Sequence, residues 1–125
     1  MRVLLDTHLL LWVLKDHSSR ASAALRRRID NAEVFVSAAS IWEISIKAAL
    51  GKLKADPNEV LEAIEPAGFS MLAITGLHAA KVAALPPLHS DPFDRMLVAQ
   101  ALVEPMILLT NDRALGGYGS AVSVA

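Results

Sequence analysis

The feature that most constrains this chain is the brevity and regular spacing of its apolar runs. None exceeds the six residues from Leu9 to Leu14, whereas crossing a membrane takes about 20. Short apolar runs recur between stretches that carry helix-start signals. Val3-Leu4-Leu5, Glu33 to Val36, Phe69 to Ile74 and Met106 to Leu109 read as strands, and Val122 to Val124 as a fifth. Helices are expected over Leu9 to Leu14, from a cap at Ser18-Ser19 to about Asn31, and from Ser37 to Leu50, where Gly51 stops the third. Asp56-Pro57 opens a fourth helix ending near Ala67-Gly68, Thr75 a fifth that stops before Pro86-Pro87, and Asp91-Pro92 a sixth reaching about Val103. Strands alternating with helices imply an α/β domain whose helices cover a central, mostly parallel sheet of four to five short strands.

With 125 residues, 54% of them hydrophobic, the expectation is a single domain spanning 1–125 around one core. The absence of cysteine removes disulfides and thiolate metal sites from consideration. Asp6 interrupts the first apolar stretch and no small-residue cleavage site follows, so no signal peptide is expected and the reading is a cytoplasmic protein. The net charge of −1 is unlike that of proteins that grip nucleic acid mainly through its phosphates. Two tryptophans, one tyrosine and three phenylalanines are too few for a base-stacking platform. A nucleic-acid substrate would need another way of holding phosphate, and a divalent metal would provide one.

Four acids fall where such a metal could be held. In open parallel sheets, ligands collect outside the carboxyl ends of the strands. Asp6 directly follows the first strand and Asp112 closely follows the fourth. Glu43 lies about two turns into the helix after the second strand, and Asp94 in the first turn of the helix feeding the fourth. Oxygen donors of this kind suit Mg²⁺ or Mn²⁺. Each acid also has an ordinary reading. Asp6 could cap a helix, Glu43 could pair with Lys47 four residues on, and Asp112 could be a turn residue. In Asp91-Pro92-Phe93-Asp94 the first Asp is assigned mainly to the helix cap and Asp94 to the metal. Against the ordinary reading of Glu43 stand Ile41, Trp42, Ile44 and Ile46, which mark a mostly buried helix. A buried, unpaired Glu is costly without a cation. His8, His17, His78 and His89 show no paired ligand spacing, which argues against a metal-free acid–base pair.

The residues around the acids resemble a PIN domain, and within that group the ribonuclease toxins of VapC-type toxin–antitoxin pairs. The likeness is carried by Val3-Leu4-Leu5-Asp6-Thr7-His8, by Ser40 to Lys47 with Leu50-Gly51-Lys52-Leu53, by His89 to Ala101, and by Leu109-Thr110-Asn111-Asp112. It implies a three-layer α/β/α fold with metal ligation by Asp6 and Asp94, completed by Glu43 and Asp112. Thr110 and Arg95, with Asp91, are implied as supporting residues beside the cluster. It further implies a Mg²⁺- or Mn²⁺-dependent endoribonuclease that leaves a 5′-phosphate and a 3′-hydroxyl, a homodimer, and a cognate antitoxin that blocks the site. Lys47, Lys52, Lys54, Arg95 and Arg113 are candidates to guide RNA, although Lys52 and Lys54 read more readily as a solvated face. The rival from another class is a non-catalytic interaction module that keeps the PIN fold. A phosphate-accepting receiver is disfavoured because the last lysine, Lys81, precedes the fourth strand. A nucleotide-binding fold would need a glycine-rich turn after the first strand, where Asp6-Thr7-His8 stands.

Overall fold

Strands covered on both faces are apolar on both sides, and the first strand of this protein is built that way after its opening arginine. In the computed structural model, which describes residues 1–15 and 20–125, β1 spans Arg2–Leu5. Val3, Leu4 and Leu5 are completely buried there. Val3 and Leu5 point to one side of the sheet and Leu4 to the other, each joining a different apolar cluster. β2 (Glu33–Ser37) and β4 (Ile107–Thr110) flank β1, with β3 (Ser70–Leu72) and β5 (Val122–Val124) at the edges. The order is β3-β2-β1-β4-β5 and every pairing is parallel.

Helices cover both faces, giving three layers. On one side α1 (Thr7–Leu14), α2 (Arg20–Asp30), α3 (Ala38–Ala49) and α4 (Pro57–Ile64) contribute Leu9, Leu10, Val13, Ile29, Ile44, Val60 and Ile64 to the first cluster. On the other, α6 (Pro92–Val103) supplies Leu97, Val98, Ala99 and Ala101 to the second. The short α5 (Gly76–Lys81) packs against α6. Helix α3 reaches both clusters, through Ile44 and Ala39, and touches α1, α4 and α6. Among the described residues no helix is long and apolar enough to cross a membrane.

The sheet has the expected α/β plan, with five strands, all parallel. Several boundaries move, each for a local reason. The first helix starts at Thr7, because the Asp6 carboxylate accepts the Leu9 N–H at 2.7 Å and caps it. Ser37 ends β2 and caps α3. The fourth helix stops at Ile64, and a turn through left-handed Gly68 completes the chain reversal. The edge strand β3 keeps only three residues of the expected Phe69 to Ile74. The fifth helix ends at Lys81 and continues as one 3₁₀ turn, Val82–Ala84. Thr110 extends β4 by one residue beyond the expected Leu109, and Gly116 and Gly117 lie in a 3₁₀ helix, Arg113–Tyr118. The expected cap at Ser18-Ser19 lies outside the described residues.

Candidate metal centre

The strand order reverses direction beside β1. The chain leaves β1 for β2 on one side and returns to β4 on the other, opening a crevice at the carboxyl ends of β1 and β4. Asp6 follows β1 and Asp112 follows β4 by two residues, so both acids stand at this crevice. Helices α3 and α6 bring Glu43 and Asp94 to it from either side.

Asp6 forms the floor, with 3% of its surface exposed. One oxygen caps α1 and the other accepts the Thr110 hydroxyl proton, so both neighbours fix the carboxylate in place. Desolvation raises its pKa, against the lowering effect of those two hydrogen bonds. Thr110 also accepts the Asp112 N–H at 3.0 Å, tying floor to rim. Glu43 is equally buried, at 3% exposure. Its Oε2 meets Lys47 Nζ at 2.5 Å, while Oε1 is buried with no hydrogen-bond partner among the described residues. A carboxylate oxygen taken from water and left unmatched costs on the order of 1–3 kcal/mol or more. The helix-surface pair with Lys47 therefore exists, but it satisfies only half of this carboxylate.

Asp94 and Asp112 are more open, at 21% and 45% side-chain exposure, and form the rim. Burial, then the negative charges of Asp91, Glu43 and Asp6, push the Asp94 carboxyl up to about 6, while His89 acts in the opposite sense. Asp91 is the cap of α6, accepting the Phe93 and Asp94 N–H groups at 2.8 and 3.0 Å, and its charge still reaches Asp94. Arg95 is engaged elsewhere. Its guanidinium donates to the carbonyls of Val82, Pro86 and His89 and to the Tyr118 hydroxyl, pinning the loop that carries His89.

His89 is the residue that spacing along the sequence did not single out. Its Nδ1 accepts the Asp91 N–H at 3.1 Å, leaving Nε2 to face Asp94 Oδ2 and Asp112 Oδ2, each at 3.4 Å. Donor atoms of His89, Asp94 and Asp112 all lie within 4.8 Å of one another. A histidine two residues before the cap of an acid-bearing helix was the available signal, since such a cap folds the preceding loop back over the first turn.

The arrangement fits a divalent cation. Carboxylates raise one another's pKa, one buried oxygen lacks a partner, and the donor set is mostly oxygen, as hard cations require.

Solved structures share this architecture. VapBC2 from Rickettsia felis, bound to a DNA fragment from their promoter, aligns with a TM-score of 0.72 at 15% identity, covering 100% of this chain and 98% of that one. A toxin–antitoxin complex from Klebsiella pneumoniae gives 0.67 at 17% identity, covering 98% and 96%. FitAcB from Neisseria gonorrhoeae gives 0.66 at 20% identity, covering 96% and 95%. No curated protein matches the sequence. The model of the PIN domain matches residues 3–119, a span that contains Asp6, Glu43, Asp94 and Asp112; the chain belongs to the PIN-domain family.

Proposed function

We propose that this protein is a divalent-metal-dependent endoribonuclease and the toxin of a toxin–antitoxin pair. The observation that carries the nuclease reading is the unmatched negative charge at the sheet's crevice, with Asp94 pushed up to about 6 by its acidic neighbours and a Glu43 oxygen left without a partner. Membership of the PIN family and the likeness to VapBC2 and to the Klebsiella pneumoniae toxin–antitoxin complex support the toxin assignment. A cognate antitoxin and a homodimer belong to the same reading.

Asp6 and Asp94, with Glu43 and Asp112, would hold Mg²⁺ or Mn²⁺, which supplies Lewis-acid polarisation of a phosphate oxygen and a more acidic water. The side chains around them have distinct tasks. Thr110 and the Leu9 N–H hold Asp6 in one orientation. Lys47 balances one Glu43 oxygen and leaves the other for the cation. His89 Nε2 stands 3.4 Å from each of the two rim carboxylates and bridges them. Attack by water on phosphorus, with the P–O3′ bond breaking and the 3′-oxygen leaving as a hydroxyl, gives a 5′-phosphate and a 3′-hydroxyl.

The test is cleavage of a mixed single-stranded RNA pool by antitoxin-free protein, in Mg²⁺ or Mn²⁺ and in EDTA, beside Asp94→Asn. Neighbours of metal ligands cost 10–100-fold when mutated, so loss of a ligand should reduce the rate by about a hundredfold or more. EDTA should abolish it, and the products should carry 5′-phosphates. Equal rates in wild type and Asp94→Asn would sink the assignment and favour a non-catalytic interaction module.

A further inference from the structure

Glu43 forms a wall shared with a second recess, on the α1 side of α3. It encloses about 270 Å³ between Thr7, His8, Leu11, Glu43, Lys47, Lys52 and Leu53. That is about nine times the ~30 Å³ share of a water molecule in the liquid, enough room for a phosphate with its ribose. Leu11 and Leu53 give it an apolar side, and Lys47 and Lys52 bring ammonium groups to it beside the His8 ring.

The end of α3 builds this recess. Gly51 takes φ +73°, the left-handed conformation that stops a helix. The chain then folds back, and the Lys52 N–H bonds to the Lys47 carbonyl at 2.9 Å. Two lysines therefore edge the same opening with unequal roles. The Lys47 ammonium is committed to Glu43. Lys52 and His8 are exposed and line the recess, Lys52 with no side-chain hydrogen bond or ion pair among the described residues and His8 beside Asp6. On a chain of net charge −1, the Lys52 ammonium stands uncommitted at a recess that Glu43 also lines.

We propose that this recess seats the RNA phosphate adjacent to the one held at the carboxylates, with Lys52 and His8 as its contacts. The proposal rests on the nuclease reading and adds a positioning role for a lysine that, by sequence, reads as part of a solvated face. A backbone with regularly spaced phosphates suits two neighbouring sites that share the Glu43 wall. The apolar side offers contact to the intervening sugar.

Lys52→Ala and Lys52→Arg separate this role from a structural one, because residue 52 is exposed and its backbone bond survives both changes. The measurement is steady-state cleavage of a labelled single-stranded oligoribonucleotide with Mg²⁺ over a series of KCl concentrations. Lys52→Ala should raise KM about tenfold, as expected for loss of a hydrogen bond to a charged group, with kcat unchanged. The slope of log(kcat/KM) against log salt should shrink by about 0.7, the value for one phosphate on a single strand. Lys52→Arg should restore both. An active wild type whose KM and salt slope do not respond to Lys52→Ala overturns the subsite alone. A wild type that cleaves nothing overturns the nuclease reading and the subsite together.

Discussion

Two buried polar clusters in this protein solve the problem of charge in opposite ways. Around His78 the groups satisfy one another. This fully buried histidine completes a reciprocal cap with Thr75, its Nδ1 accepting the Thr75 N–H at 3.0 Å and its own N–H donating to the Thr75 hydroxyl oxygen at 3.3 Å. Its Nε2 meets Glu104 at 2.5 Å, and Gln100 lies against its ring. The remainder is the Oε1 of Gln100, an atom of a neutral amide. At the crevice the remainder is Glu43 Oε1, on a carboxylate paired to Lys47 through its other oxygen and whose charge reaches Asp94. A fold tolerates a spare amide oxygen at modest cost, whereas accumulated like charge needs a counter-ion or a function. The first cluster fastens α5 to α6; the second keeps a buried carboxylate oxygen without a partner among the described residues.

The largest effect expected from this contrast is on stability. His78→Ala should cost about 3 kcal/mol, combining a core cavity with lost buried hydrogen bonds. Urea unfolding would measure it, while kcat of the folded fraction stays unchanged. A cost below about 1 kcal/mol would show that the His78 cluster is no fastening at all. Next in size, Mg²⁺ at about 100 times its dissociation constant should stabilise the wild type by about 2.7 kcal/mol. Because Asp94 must lose its proton to bind a cation, that gain should grow as pH rises through about 6. Thermal melts at pH 5 and pH 8, with and without Mg²⁺, test this, and a gain that ignores pH would remove Asp94 from the ligand set.

The smallest effect belongs to the metal-free protein. The folded-state pKa of Asp94 is raised above 3.8, so the folded state holds this proton more tightly than the unfolded chain does. Its contribution is complete below about pH 4 and is lost as pH climbs through about 6. In EDTA at pH 8, Asp94→Asn should therefore be more stable than wild type by about 1–2 kcal/mol, with the difference vanishing toward pH 4. A variant less stable than wild type at pH 8 would mean that Asp94 supports the fold rather than straining it.

Much of this was legible in the sequence because the physics is local. Asp91-Pro92 announces the start of α6, and Val3-Leu4-Leu5 announces a strand buried on both sides. The four acids could be picked out because each sits at a recognisable element end or on an apolar helix. Other features depend on contacts that no local pattern encodes. His89 acquires its place only when its loop is pinned by Arg95, so the pairing with Asp94 and Asp112 cannot be read from spacing. Likewise the partnership of Lys47 with one Glu43 oxygen was visible as a spacing of four, but the isolation of the other oxygen was not. The edge strand β3 was overextended because an apolar run continues past the point where its neighbour β2 ends at Ser37.

The hydroxyl bond from Thr110 to Asp6 links two positions at opposite ends of the sequence, on neighbouring strands in the middle of the sheet. In chain order Asp6, Glu43 and Asp94 all precede β4. Until that strand arrives, β1 lacks one of its two neighbours, and Asp6 lacks both the Thr110 hydroxyl and the Leu109 carbonyl that receives its backbone N–H. The nascent chain thus carries three of its four acids without the frame that aims them.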